Sequence, residues 1–187
     1  MSSAGTDLGV VVGVDGSSAA DSAITWAARY AALHKQALTL VHVIPRVEAL
    51  TWYEASITSE LERVSLERDR ELMQAAKAVA ERAGADNGPL TISEYVGVGN
   101  AAATLIEVSK KAELIVVGTR GLGRVGRALL GSVSAGVLHH AHCPVAVIHD
   151  PEDSTPPSEQ APVVVGIDGS PASERAVAIA FDEASRR

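Results

Sequence analysis

The feature that most constrains this chain is a regular alternation of two patterns. Short, unbroken runs of Val, Ile, Leu and Ala are separated by longer stretches with helical periodicity. "LGVVVGVD" (8–15), "ALTLVHVI" (37–44), "PLTISEYVG" (89–97), "AELIVVG" (112–118) and "PVAVIHD" (144–150) read as strands. Most read as continuous apolar runs, without the alternation of a strand with one wet face. Runs that are apolar on both sides, each followed by a helical segment, require a parallel sheet covered on both faces. The expected fold is therefore α/β, a doubly wound five-stranded parallel sheet with helices on both faces, over residues 8–150.

The helical segments carry their own punctuation. After Gly16, Ser18 opens a helix with Asp21 as a capping-box partner, and Ser17 or Ser18 serves as the N-cap. Ala20, Ile24, Ala27 and Ala31 recur on one face of it. A long charged helix is expected from Ser59, capped by Glu62 and closed by Gly84 as its C′ residue. Asn100 starts a shorter helix through Leu105, Ile106 and Val108, and another begins near Ser132. In such sheets ligands bind beyond the carboxyl ends of the strands, where strand order reverses. Asp15 and Gly118 end the first and fourth strands and are expected there.

Residues 151–161, rich in Pro, Ser and acids, read as a linker. Beyond them the start of the chain returns: "VVVGVDGSSAADSAITWAARYA" (10–31) is matched by "VVVGIDGSPASERAVAIAFDEA" (163–184). The repeat, 162–187, offers one strand and one helix. A lone unit of that kind cannot bury its apolar side, so residues 163–167, Ile179 and Phe181 need a partner surface, in a longer chain, the first domain or another protein.

Charge narrows the function. The net charge of −7 opposes general binding to nucleic acid or to an acidic membrane. No apolar run approaches the ~18 residues of a membrane span, and the first residues lack the pattern of a signal peptide. The single cysteine, Cys143, suits a reducing compartment. These features set the expectation of a cytoplasmic protein. Within the acidic chain, residues 114–149 contain no acid, while Arg120, Arg124 and Arg127 fall inside "GTRGLGRVGRALLGS" (118–132). That is a local site for an anion.

Three phosphate-binding patterns compete for this segment. "GLGRVG" (121–126) satisfies G-x-G-x-x-G, but it follows the fourth strand rather than the first and lacks the acid about twenty residues on. "GRALLGS" (126–132) has no lysine where a P-loop requires one. The third is Gly118-x-x-Gly121, nine residues, then Gly131-Ser132. With "VVVGVDGS", "LTLVHVI" and "GSVSAGVLHHAHCPVAVI", this spacing resembles the ATP-binding signature of the universal stress protein family. The likeness covers 8–150, and the repeat resembles the start of a second such domain, as in tandem universal stress proteins of actinobacterial type.

The resemblance implies an adenine nucleotide alpha hydrolase-like fold and ATP as bound ligand, with Mg2+ as an optional companion. It places Gly13, Asp15 and Val43 around the adenosine. It places Gly118, Thr119, Arg120, Gly121, Leu122, Gly123 and Arg124, with Gly131, Ser132, Val133 and Ser134, at the phosphates. The residue chemistry agrees. Glycines let backbone N–H groups form an anion nest, and the helix opening at Ser132 presents unpaired amides. Arginine adds charge-assisted contacts, and Asp15 can accept from an adenine amino group or ribose hydroxyl. Gly118→Glu, which adds bulk and negative charge at the phosphate nest, is expected to abolish nucleotide binding without unfolding the domain.

Other candidates are weaker. "HHAHC" (139–143) lacks a second ligand-bearing segment, so its histidines read as helix-end residues rather than metal ligands. His42 reads as an ordinary strand residue and Cys143 as a small buried one. The loop offers no acid to hold a metal, so turnover is expected to be very slow at most, and no residue is assigned a catalytic role. One nucleotide site per chain is expected, since the repeat carries Asp168 but no second glycine loop. The edge strand "PVAVIHD" suits a homodimer. Alternatives are an AMP or cyclic AMP binder on the same scaffold, and a dimerising interaction module that binds no nucleotide.

Overall fold

A computed structural model describes residues 8–46, 55–119, 130–149 and 161–186. The chain divides into two compact units, Met1–Asp153 and Ser154–Arg187.

The first unit runs β1 (Val10–Val14), α1 (Ser18–Leu33), β2 (Leu38–Ile44), α2 (Ala55–Gly84), β3 (Ile92–Val98), α3 (Ala101–Val108), β4 (Leu114–Gly118), α4 (Ser132–His140) and β5 (Val145–Ile148). The five strands form one parallel sheet in the order β3-β2-β1-β4-β5. The chain winds outward from β1 to β2 and β3, then returns to the other side of β1 for β4 and β5. Strand order therefore reverses between β1 and β4, as expected from the sequence.

Alternate residues of each strand feed two cores. Val10, Val12 and Val14 join Leu38, Leu40, Leu114 and Val116 against α1 and α2. Val11, Val41, Ile115 and Val117 pack on the other face with Leu105 and Val108 of α3 and Val137 of α4. The three central strands, β1, β2 and β4, lack alternation because both their faces are dry. α1 turns seven alanines inward: Ala19, Ala20, Ala23, Ala27, Ala28, Ala31 and Ala32. Side chains this small let the helix lie close to the sheet, which matters at Gly118 below.

Several local expectations shift. The N-cap of α1 is Ser17, whose side chain accepts from the Ala20 amide at 3.2 Å. Ala20, not Asp21, thus occupies the third helical position, and there is no capping box. α2 starts at Ala55, so Ser59 and Glu62 lie inside it; a cap needs a non-helical residue. At its far end Gly84 stays right-handed and leads into a 3-10 turn. The positive φ of +113° falls on Gly88 instead. Gly84 is there for packing, since a Cβ would stand 3.0 Å from Leu90 Cδ2. Asn100 does cap α3, accepting from the Ala103 amide at 2.9 Å. β3 is an edge strand with Tyr95, Val96 and Val98 exposed. β5 forms the opposite edge, its residues half-buried.

In the second unit α5 spans Pro171–Arg186. The strand expected at 163–167 is not formed: 161–168 have no strand pairing, and Val164 and Ile167 are 89% and 70% exposed. A parallel strand exists only through its neighbours' ladder, and none is present among the described residues of this unit. Ile179 and Phe181 are exposed as well. The linker at 151–160 lies outside the described residues.

Candidate functional site

The site is best built from the loop joining β1 to α1. Gly16 takes φ +79°, a left-handed turn that glycine makes without strain. This folds Asp15 back onto Ser17. Asp15 Oδ1 accepts from the Ser17 amide at 3.0 Å and from the Ser17 hydroxyl at 2.7 Å. Ser17 Oγ at the same time caps α1. One serine therefore orients the carboxylate and terminates the helix. Sequence reasoning had identified Asp15 but not what holds it. The Asp21 carboxyl one turn on is held above its usual value, first by burial and then by the Asp15 charge.

Sheet register brings the other predicted residues level with Asp15. Gly13 stands beside Val41, and Val14 beside His42, so Asp15 falls next to Val43. Val12 stands beside Val116, and the same offset sets Asp15 level with Thr119. Gly13 faces α3, where a Cβ would meet Leu105 Cδ1 at 3.4 Å. Val43 packs on that same side. Gly13, Val43 and Thr119 thus line one face at the carboxyl ends of three adjacent strands.

Thr119 is also the anchor of the glycine loop. Its amide donates to the Ile148 carbonyl at 2.9 Å, and its own carbonyl accepts from the Gly131 amide at 2.8 Å. The buried Ser134 hydroxyl bonds the same carbonyl at 3.1 Å and that of Gly131 at 3.0 Å. Both ends of the intervening loop are thereby fixed to the end of β4. Arg120, Gly121, Leu122, Gly123 and Arg124 lie outside the described residues. Beyond them, Gly131 is the N-cap of α4 with no side-chain hydrogen bond, and the first turn contains no acid. The first-turn amides, including those of Ser132, Val133 and Ser134, and the positive end of the dipole are what an anion takes up. The Thr119 hydroxyl is buried and has no hydrogen-bond partner among the described residues. A buried donor left unsatisfied is costly, so an acceptor from a ligand fits this position.

Gly118 has a different reason for being glycine. Its missing side chain faces α1: a Cβ would stand 2.8 Å from the Ala19 carbonyl oxygen and 2.9 Å from its carbon. The alanine-rich start of α1 lies against the end of β4, and only glycine fits between. The expectation that Gly118→Glu leaves the domain folded meets an obstacle here: Gly118 closes the sheet against α1.

The remaining candidates settle simply. His139 and His140 stand in the last turn of α4, exposed, where they complement the dipole. Among the described residues no group of three or more His, Cys, Asp or Glu is placed to hold a metal. Cys143 is half-buried, and burial pushes its thiol above the usual value. No helix of the described residues is long and apolar enough to cross a membrane. His42 departs from its reading as an ordinary strand residue. Its Nδ1 bonds the Val14 carbonyl at 2.8 Å, and its Nε2 stands 3.3 Å from Asp69 Oδ1 on α2. The available signal was its place in register with Leu38 and Leu40, on the buried face.

Sheet order, the carboxylate at its switch point and the α4 N-terminus tied to Thr119 define a doubly wound α/β protein whose strand ends can receive an anion. The chain belongs to the universal stress protein family, whose model matches residues 9–149. A universal stress protein of Mycobacterium tuberculosis is 49% identical over 187 residues, covering 100% of this chain and 63% of its own. One from Mycolicibacterium smegmatis is 44% identical over 188 residues, again with 63% of its length covered. The chain therefore spans 63% of the length of these curated relatives. Among solved structures, a universal stress protein from Lactobacillus plantarum superposes with a TM-score of 0.64 at 26% identity, over 75% of this chain and 97% of that one. Another, a universal stress protein in complex with cAMP, gives 0.57 at 27% identity, over 76% and 97% of the two chains.

Proposed function

We propose that this chain is an ATP-binding universal stress protein, a regulatory module whose ligand reports the nucleotide state of the cell. The observation that carries the reading is the buried Thr119 hydroxyl, which has no partner among the described residues, beside an α4 N-terminus without a side-chain cap. Gly131, Ser132, Val133 and Ser134 would hold the phosphates with Thr119. Asp15, Gly13 and Val43 would hold the adenosine. Arg120 and Arg124 favour a ligand with several phosphates over one with a single phosphate. The bound ligand of the cAMP complex, at 27% identity, supports a second reading, in which the same cleft takes AMP or cyclic AMP.

The module binds rather than turns over. Phosphoryl transfer needs carboxylates to hold a metal and a group to orient the nucleophile, and residues 114–149 contain no acid. Mg2+, where present, would accompany the nucleotide's phosphates. The repeat at 163–184 and the length of the relatives support a tandem architecture, with one nucleotide site in the part given by this chain. The half-buried edge strand β5 supports a homodimer, and the single cysteine a cytoplasmic setting.

The test is to purify the chain without added nucleotide, denature it and identify what is released by chromatography and mass spectrometry. ATP near one equivalent per chain is the expected result. AMP or cyclic AMP would favour the second reading. A protein that releases nothing and does not bind added ATP would overturn both and leave a dimerising interaction module.

A further inference from the structure

The buried contact between His42 and α2 has a proton requirement. His42 is 8% exposed, and its ring lies between two acceptors. The Val14 carbonyl accepts only, so Nδ1 carries a hydrogen across the 2.8 Å bond. A neutral ring with that tautomer presents a lone pair at Nε2, facing Asp69 Oδ1 at 3.3 Å. Two lone pairs repel, so with Asp69 ionised both contacts are made only by the imidazolium. Asp69 Oδ2 is buried with no hydrogen-bond partner among the described residues. The ring is therefore the group compensating that carboxylate.

The position makes this contact mechanical. Residues 63–68 of α2 are exposed, and Asp69 is where the helix lands on the sheet, just before Leu72 and Met73 enter the core. The Val14 carbonyl belongs to the peptide that leads into Asp15. The other charged groups on the elements around the ring are accounted for. Lys77 of α2 pairs with Glu94 of β3 at 3.7 Å. Asp15 Oδ1 is taken by Ser17. Arg68, Arg70 and Glu71 are exposed, and the β3 residue in register with His42 is Val96. From α1, Asp21 stands at the first turn, its carboxyl only partly shielded from water.

We propose that His42 and Asp69 form a proton-dependent latch that fastens α2 to the end of β1, shut while the ring is doubly protonated and loosened as rising pH removes the Nε2 proton. The inference does not depend on the identity of the ligand. The experiment follows the His42 ring by nitrogen NMR across pH, alongside amide exchange of residues 69–73, corrected for the intrinsic pH dependence of exchange. In the unaltered chain, loss of the second ring proton should coincide with a loss of protection of about tenfold, the scale of one hydrogen bond to a charged group. In Asp69→Asn the carboxamide donates to a neutral Nε2, so the contact persists and protection should no longer follow the ring. Protection that stays constant while the unaltered ring titrates would overturn the latch, and this reading needs no variant. Retention of the original pH dependence in Asp69→Asn would overturn it equally.

Discussion

Replacing Gly118 by alanine separates a folding role from a ligand role. The backbone there lies outside the left-handed region, so alanine adopts it without conformational strain. The obstacle is contact: the new Cβ would stand 2.8 Å from the Ala19 carbonyl oxygen, 2.9 Å from its carbon and 3.0 Å from its Cβ. Comfortable carbon contacts begin at roughly 3.5 Å, so α1 and β4 must part by about half an ångström or more. Two of the three opposing atoms are backbone and cannot rotate away. Overpacking of this kind costs about 1–3 kcal/mol. The lower entropy of the unfolded chain returns about 0.4–1 kcal/mol, leaving a net loss of about 1–2 kcal/mol. In a domain of this size that is a fall in Tm of about 2–8 °C. Thermal melts followed by circular dichroism measure it, with nucleotide content per folded chain measured in parallel. The expected outcome is a lower Tm with nucleotide retained. Ala19→Gly in the same chain should restore little, because it removes only the side-chain contact. An unchanged Tm accompanied by loss of nucleotide would refute the argument and return Gly118 to the phosphate site.

Three further outcomes follow from the same geometry. Thr119→Val keeps the shape and deletes the hydroxyl that has no partner among the described residues, so the ligand-free protein should be as stable or more so, while ATP affinity measured by calorimetry falls about tenfold; unchanged affinity would remove Thr119 from the site. Ser17→Ala takes away both the α1 cap and the hydroxyl that orients Asp15; it should cost about 1 kcal/mol and weaken ATP, with Ser17→Thr restoring both. Asp21 tests the electrostatics: its folded carboxyl lies above the usual value through burial and then Asp15. The folded state thus holds that proton more tightly, and the resulting stability is present in acid and lost as pH rises through the carboxylate range. Urea midpoints across that range should fall less steeply in Asp21→Asn, and parallel profiles would contradict the assignment.

Much of the site was legible because its parts are local or periodic. Asn100 caps α3 through a bond that spans three residues. The glycine spacing marked the end of β4 and the start of α4, where Gly131 and Ser134 bond the Thr119 carbonyl. Less legible were contacts that join distant segments. Nothing near Gly118 in the chain reveals that Ala19 occupies the space beside it. Nothing near His42 names Asp69, 27 positions away, as its partner.

The repeat shows where the division falls. "VDGS" at 14–17 and "IDGS" at 167–170 build the same turn twice. Gly16 and Gly169 take φ +79° and +80°, and Asp15 and Asp168 accept from the amide two residues on at 3.0 and 2.9 Å. Ser17 and Ser170 both accept from the amide three residues on, at 3.2 Å. Each bond lies within a few residues, so the sequence by itself determined the turn and the helix start. The "VVVG" before each turn is identical, yet 10–13 lie in a buried strand and 163–166 form none. A parallel strand has no hydrogen bonds of its own; they come from neighbours reached only through a crossover. β1 has β2 and β4 on either side. That neighbourhood is a property of the tertiary structure, and among the described residues only the first copy has it.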